Sequence, residues 1–186
     1  MIGYGIKRII LESYPILLAC ILIALAAGYM LNSSIAEIAE MPLILAMIPP
    51  INGIGGNIGS ILGARLTSAL HIGTLEPRLR KQRVLRRNVS ASALISFAIF
   101  SLIGALFFAI AYSTGIPVAR SFSLALAFFI AGMTLSAALM FVTIASALVS
   151  FKGGLDPDNV VIPIVTAIGD VLGVTCLFMA LKIVGV

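Results

Sequence analysis

The sequence predicts an all-α integral membrane protein with five transmembrane helices, the N terminus inside, the C terminus outside and a discontinuous second helix. Three observations carry this reading. The 186-residue chain is 61% hydrophobic and only 10% charged, with a mean hydropathy of +1.18, far more apolar and less charged than an average soluble domain. Its charges cluster, leaving stretches that each reach the roughly 18 apolar residues a spanning helix needs. Positive charge also differs between successive loops, and that difference sets orientation.

The first span covers about 13–36. Lys7 and Arg8 ahead of it invite comparison with a secretory leader. The apolar run is too long for one, and no small-residue cleavage site leads into a soluble domain. The second span, about 41–66, has no charge before Arg65 but contains PPINGIGGN at 49–57. The third and fourth, about 88–113 and 121–150, carry small residues at helical spacing (Ser92, Ser96 and Gly104; Gly132 and Ser136) that read as packing faces. The fifth, about 159–183, is interrupted by a single acid, Asp170. Together they make one transmembrane domain over 1–186. Cys20 and Cys176 both fall in spans and read as buried packing thiols.

Orientation follows from the loops. Lys7 and Arg8 precede the first span, and the next loop holds only Glu37 and Glu40. The loop after the second span carries Arg78, Arg80, Lys81, Arg83, Arg86 and Arg87. The positive-inside rule puts the N terminus and the basic loop in the cytoplasm, so five spans leave the C terminus outside. Lys152 agrees and Arg120 dissents. The basic loop has no interleaved aromatics, so it reads as a topology signal and a contact for anionic headgroups; no nucleic acid is expected. A multi-pass protein of the cell membrane follows.

Five helix breakers in eight residues need a reason. Inside hydrocarbon every backbone polar group must be satisfied, so a broken helix is tolerated only beside protein or a water-filled cavity. Pro49 and Pro50 remove donors, while Gly53, Gly55 and Gly56 permit close approach and unusual dihedrals. Kinking and tight helix packing are the plainer alternative. The discontinuous helices of transporters favour a cavity with freed carbonyl oxygens, ending at Asn57.

Asp170 lies 11 residues beyond Asn159, roughly 16 Å along a helix and near the middle of the bilayer. An ionised carboxylate at that depth costs about 2.5–3.5 kcal/mol, so it must face water or a partner. Asn159, Pro163, Thr166, Asp170 and Gly173 recur at helical spacing, a small and polar stripe on one side of the fifth span. PINGIGGN (50–57) and PIVTAIGD (163–170) also echo each other, ending in Gly-Asn and Gly-Asp. By the loop charges these two spans run in opposite directions, an arrangement that points to a midplane site.

Asn57, Thr166, Asp170 and backbone carbonyls, with Asp156, Asp158 and Asn159 at the cytoplasmic mouth, are hard oxygen donors. They suit magnesium, calcium or manganese better than zinc or copper. Magnesium, which keeps its waters and touches few carboxylates, fits one acid per chain best. A homodimer would bring two copies of Asp170 together around a cation. Gly53, Gly55, Gly56, Pro163, Gly169 and Gly173 are expected to line the cavity.

The segments GIGGNIGSILGARLTSALHIGTLEP and DPDNVVIPIVTAIGDVLG resemble the membrane domain shared by bacterial MgtE magnesium transporters and the animal solute carrier family 41. The resemblance implies a five-helix protomer and a homodimer whose interface holds a pore lined by the second and fifth helices. It implies that Asp170 holds a hydrated magnesium, helped by the backbone carbonyl of Thr166 one turn earlier, and that Asn57 is the family's Gly-Gly-Asn asparagine. No cofactor is implied beyond the transported ion. The family's N-terminal and CBS sensor domains have no counterpart here, so gating by them is not expected.

Arg65 is expected to snorkel to headgroups and His71 to be solvated near the same interface. An intramembrane enzyme built on Asp170 is the competing reading. It lacks a second intramembrane acid or a His or Ser partner at suitable spacing. A structural subunit of a larger membrane complex would leave the midplane acid without a purpose.

Overall fold

The computed structural model describes residues 5–33, 42–78 and 80–186; Glu37 and Glu40 lie outside the described residues. The described chain is all helical: α1 (Ile6–Ser33), α2 (Pro42–His71), α3 (Arg83–Ser113), α4 (Val118–Lys152) and α5 (Pro157–Val184). All five are long and apolar enough to cross a membrane.

The helices run past the apolar stretches because polar groups at their ends cap or extend them. At the start of α1, Arg8 Nε donates to Glu12 Oε1 at 2.6 Å one turn later, so the helix begins among charges rather than at residue 13. α2 continues beyond Arg65 to His71. α5 begins on an Asp156 cap, whose carboxylate accepts from the Asp158 N–H, with Pro157 in the first turn. Both features suit a helix start, where backbone donors are otherwise orphaned. It ends at Gly185, in the left-handed conformation at φ 78°, which glycine adopts without a Cβ clash.

The second helix is not discontinuous. It runs unbroken over Pro42–His71 with Pro49 and Pro50 inside it, and no glycine in it has a positive φ. The prolines cannot donate to the carbonyls of Leu45 and Ala46, but two missing bonds toward the helix's N-terminal end do not unwind thirty residues packed on three neighbours. The glycines serve a different purpose. A Cβ on Gly55 would lie 2.5 Å from Leu135 Cδ2, one on Gly59 would lie 2.5 Å from Val165 Cγ1, and one on Gly63 would lie 2.8 Å from Val161 Cγ1. They let α4 and α5 approach α2 closely, as small residues do in membrane bundles.

α4 and α5 form the centre. α2 packs on both and on α3, α3 packs on α4, and α1 touches α5 alone among the described residues. The core gathers Leu62 and Leu66 of α2, Phe100 of α3, Phe128, Leu135 and Leu139 of α4, and Val165 and Leu177 of α5. The expected packing faces are in place: Ser92, Ser96 and Ser136 are buried, and the Phe100 ring lies where a Cβ on Gly132 would sit. Cys20 and Cys176 are free and half-buried.

Candidate functional site

α2 and α5 cross as an antiparallel pair whose register can be read residue by residue. Asn52 sits against Gly173, Gly56 against Gly169, Gly59 against Val165, and Gly63 against Val161. The paired numbers fall on one side as they rise on the other, at intervals of three and four. The two echoing motifs therefore meet at one point, Gly56 and Gly169, where a Cβ on Gly169 would come within 4.0 Å of the Gly56 Cα.

This register sorts the remaining residues. In two antiparallel right-handed helices, the residue following each seam position falls on the same side of the pair. On that side lie Gly53, Asn57 and Ala64 of α2 with Ile162 and Thr166 of α5, all exposed, Ser60 and Asp170, half-buried, and Val174, which is buried. The opposite side holds Ile51, Gly55, Ile58 and Leu62, all buried, with Leu135 and Leu139 of α4 against it. Asn57, Thr166 and Asp170 thus share one face of the protomer, the face away from α4.

Asp170 has a partner that the sequence reading missed. Asn52 Nδ2 donates to Asp170 Oδ1 at 3.3 Å and to the Asp170 carbonyl at 3.4 Å. Asn52 Oδ1 is buried without a hydrogen-bond partner, lodged where a Cβ on Gly173 would stand. Asn57, the asparagine picked out from the sequence, lies a turn and a half further along. A signal did exist: Asn52 is the other polar residue within PPINGIGGN. Its spacing from Asn57 puts the two on different sides of a helix.

Thr166 Oγ1 donates to the Ile162 carbonyl of its own helix at 3.0 Å. With Pro163 and Asp170 it lines a groove of about 520 Å³ whose other wall is Leu17, Cys20, Ile21 and Ala24 of α1. Part of the polar stripe is thus open, while Gly173 is turned onto Asn52 and Gly169 onto α2 and Leu139. Gly53 and Gly56 have open space where a Cβ would point.

At the end of α5 that begins with Asp156, the polar residues hold α1 in place. Glu12 Oε2 accepts from Asn159 Nδ2 at 3.1 Å and from the Asp156 N–H at 3.2 Å. Arg8 Nη2 donates to the Gly154 carbonyl at 2.9 Å. Asn159 is therefore engaged by α1, and Asp158 stays exposed. Arg65, expected to reach for headgroups, is exposed and donates through Nε to Asn88 Oδ1 of α3 at 2.6 Å. The His71 ring meets the Phe151 ring edge-on, with centroids 5.7 Å apart.

The arrangement offers oxygen donors and one carboxylate, with the Cys20 thiol on the α1 wall of the groove, on a face that a bilayer would otherwise cover. Among the described residues no group of three His, Cys, Asp or Glu could hold a metal ion, so no closed protein cage for a metal is present there.

Comparison with known proteins agrees with this chemistry. The family model for the MgtE divalent cation transporters matches residues 48–180. Solute carrier family 41 member 3 of Mus musculus is 26% identical, the match covering 88% of this chain and 36% of that protein. Its counterpart in Rattus norvegicus is 27% identical, over 88% of this chain and 38% of that protein. The chain spans little more than a third of the length of these relatives. With a family model matched across most of its length, from within α2 almost to the end of α5, the chain belongs to the MgtE family of divalent cation transporters.

Proposed function

We propose that this chain is the membrane unit of a divalent cation transporter or channel, with magnesium as the first substrate. It acts as a homodimer whose pore lies between the α2–α5 faces of two protomers. One observation carries the reading: Asn57, Thr166 and Asp170 share an exposed face of helices built to sit in hydrocarbon. A carboxylate left there against lipid costs about 2.5–3.5 kcal/mol. A second copy related by a two-fold axis would cover the face with its own equivalent, because such an interface is self-complementary. The two Asp170 carboxylates would then line one path, and a cation between them would offset their repulsion.

In this reading Asp170 supplies the charge that attracts a hydrated ion. The Thr166 backbone carbonyl and Asn57 offer further oxygens to its water shell. Gly53, Gly56 and Pro163 form the lining, and Gly55, Gly169 and Gly173 let the helices close behind it. Asp156 and Asp158 stand at the cytoplasmic mouth, with the N terminus inside, the C terminus outside and the protein in the cell membrane. Magnesium suits a path with few carboxylates because it sheds water reluctantly.

Uptake of magnesium into liposomes by purified protein tests the proposal. Asp170→Asn keeps the shape of the side chain and removes its charge, so it should abolish uptake or cut it severely in a protein that still folds. Wild-type rates in that variant would refute the role of Asp170.

A further inference from the structure

We infer that Asn52 is a specificity-determining residue: by holding one carboxylate oxygen of Asp170 it leaves the other as a single contact for a cation that keeps its water shell, which favours magnesium over calcium. The inference deepens the transport reading above and rests on it.

The geometry defines what Asn52 can do. Its Nδ2 faces two oxygens of the same residue, Asp170 Oδ1 at 3.3 Å and the Asp170 carbonyl at 3.4 Å. Turning the amide over would set an oxygen against both, so only one orientation is chemically consistent. The cost of that orientation is visible on the other end of the group, where Oδ1 is buried with no partner. The side chain is held in place by shape. Gly173 offers no Cβ, and the space that Cβ would fill is taken by Asn52 Oδ1.

An amide is a neutral donor, so it directs the carboxylate without cancelling its charge. Calcium takes six to eight oxygen ligands and often binds a carboxylate through both oxygens, whereas magnesium binds through few carboxylate oxygens and retains its waters. Each carboxylate oxygen has two lone pairs, so two-oxygen contact at Asp170 sets a cation on the oxygen that already accepts from Asn52 and competes with that bond. One-oxygen contact, direct or through a water, does not. The opposing wall of the groove, Leu17, Cys20, Ile21 and Ala24, offers no charged group to take over this function.

Two variants remove the contact in different ways. Asn52→Leu keeps the approximate shape and loses the donor; because it also removes a buried unpaired oxygen, it should fold well. Gly173→Ala keeps Asn52 but places a methyl group where Oδ1 now lies. The Asp170 carboxylate band in the infrared spectrum, assigned by its loss in Asp170→Asn, should shift in both variants. In liposomes both should narrow the preference for magnesium over calcium by about tenfold, a ratio equivalent to ~1.4 kcal/mol. An unmoved band in both folded variants would overturn the inference, as would a shifted band with an unchanged magnesium-to-calcium ratio. Wild-type protein that takes up neither ion would overturn the transport reading and the specificity role with it. The band would then still report the contact, so the two failures are distinguishable.

Discussion

Gly56 and Gly59 are three residues apart on one helix, yet replacing each by alanine should have opposite effects on stability. A Cβ at Gly56 meets nothing within 4 Å, so Gly56→Ala gains only the better helix preference of alanine, up to about 1 kcal/mol. A Cβ at Gly59 would stand 2.5 Å from Val165 Cγ1, with Thr143 Oγ1 at 3.4 Å and Leu139 Cβ at 3.6 Å. Those three neighbours are fully buried, and Val165 is β-branched with few rotamers to retreat into. Overpacking of this kind costs ~1–3 kcal/mol, which exceeds or cancels the helix gain. The expected gap between the two variants is about 1–3 kcal/mol, at about 2–4 °C of melting temperature per kcal/mol for a chain of this size. Thermal melting in detergent, followed by the reactivity of Cys20 and Cys176 as the bundle opens, measures it. A Gly59→Ala protein that melts at or above Gly56→Ala would refute the register assigned to α2 and α5. In the transport assay the order should reverse, because the methyl group of Gly56→Ala occupies space beside the proposed path.

Three further outcomes follow from other parts of the molecule. Glu12→Ala removes the acceptor shared by Asn159 and the Asp156 N–H, so hydrogen exchange should quicken at the start of α1 and across 154–159 while the α2–α4 core stays protected; uniform exchange would mean that α1 is held by packing alone. With Cys20 and Cys176 replaced by serine, Asn57→Cys should cross-link two protomers under oxidation, whereas Phe97→Cys, exposed on α3, should not. A strictly monomeric Asn57→Cys protein that still transports would exclude the shared pore. Reporters on the N terminus or in the basic 78–87 loop should read as cytoplasmic and one on the C terminus as external, and an internal C terminus would contradict the loop-charge argument.

Much of the fold was legible before any coordinates, because hydropathy acts locally: a run of uncharged residues long enough to cross the bilayer becomes a helix wherever it packs. The five spans and the packing faces of α3 and α4 followed from composition and spacing. Helix ends were less legible. The charge that ends an apolar run does not end a helix when it pairs one turn on, as Arg8 does with Glu12.

The character of α2 was misread because prolines and glycines were weighed as breakers. Local preference argues for a break, yet burial of one face against α4 and α5 rewards a continuous helix with no Cβ at positions 55, 59 and 63. The site was half legible for a related reason. Spacing within one helix put Thr166 and Asp170 on a common face, because that is a property of 3.6 residues per turn. Which asparagine of α2 meets Asp170 is a matter of register between two helices far apart in sequence. The crossing at Gly56 and Gly169 decides it, and it brings Asn52 to the carboxylate while turning Asn57 outward. Sequence alone determined the class of protein, its spans and the acid within the fifth of them, because hydrophobicity and charge act through counting. Only the tertiary structure decided what that acid touches, because contact depends on how the helices cross.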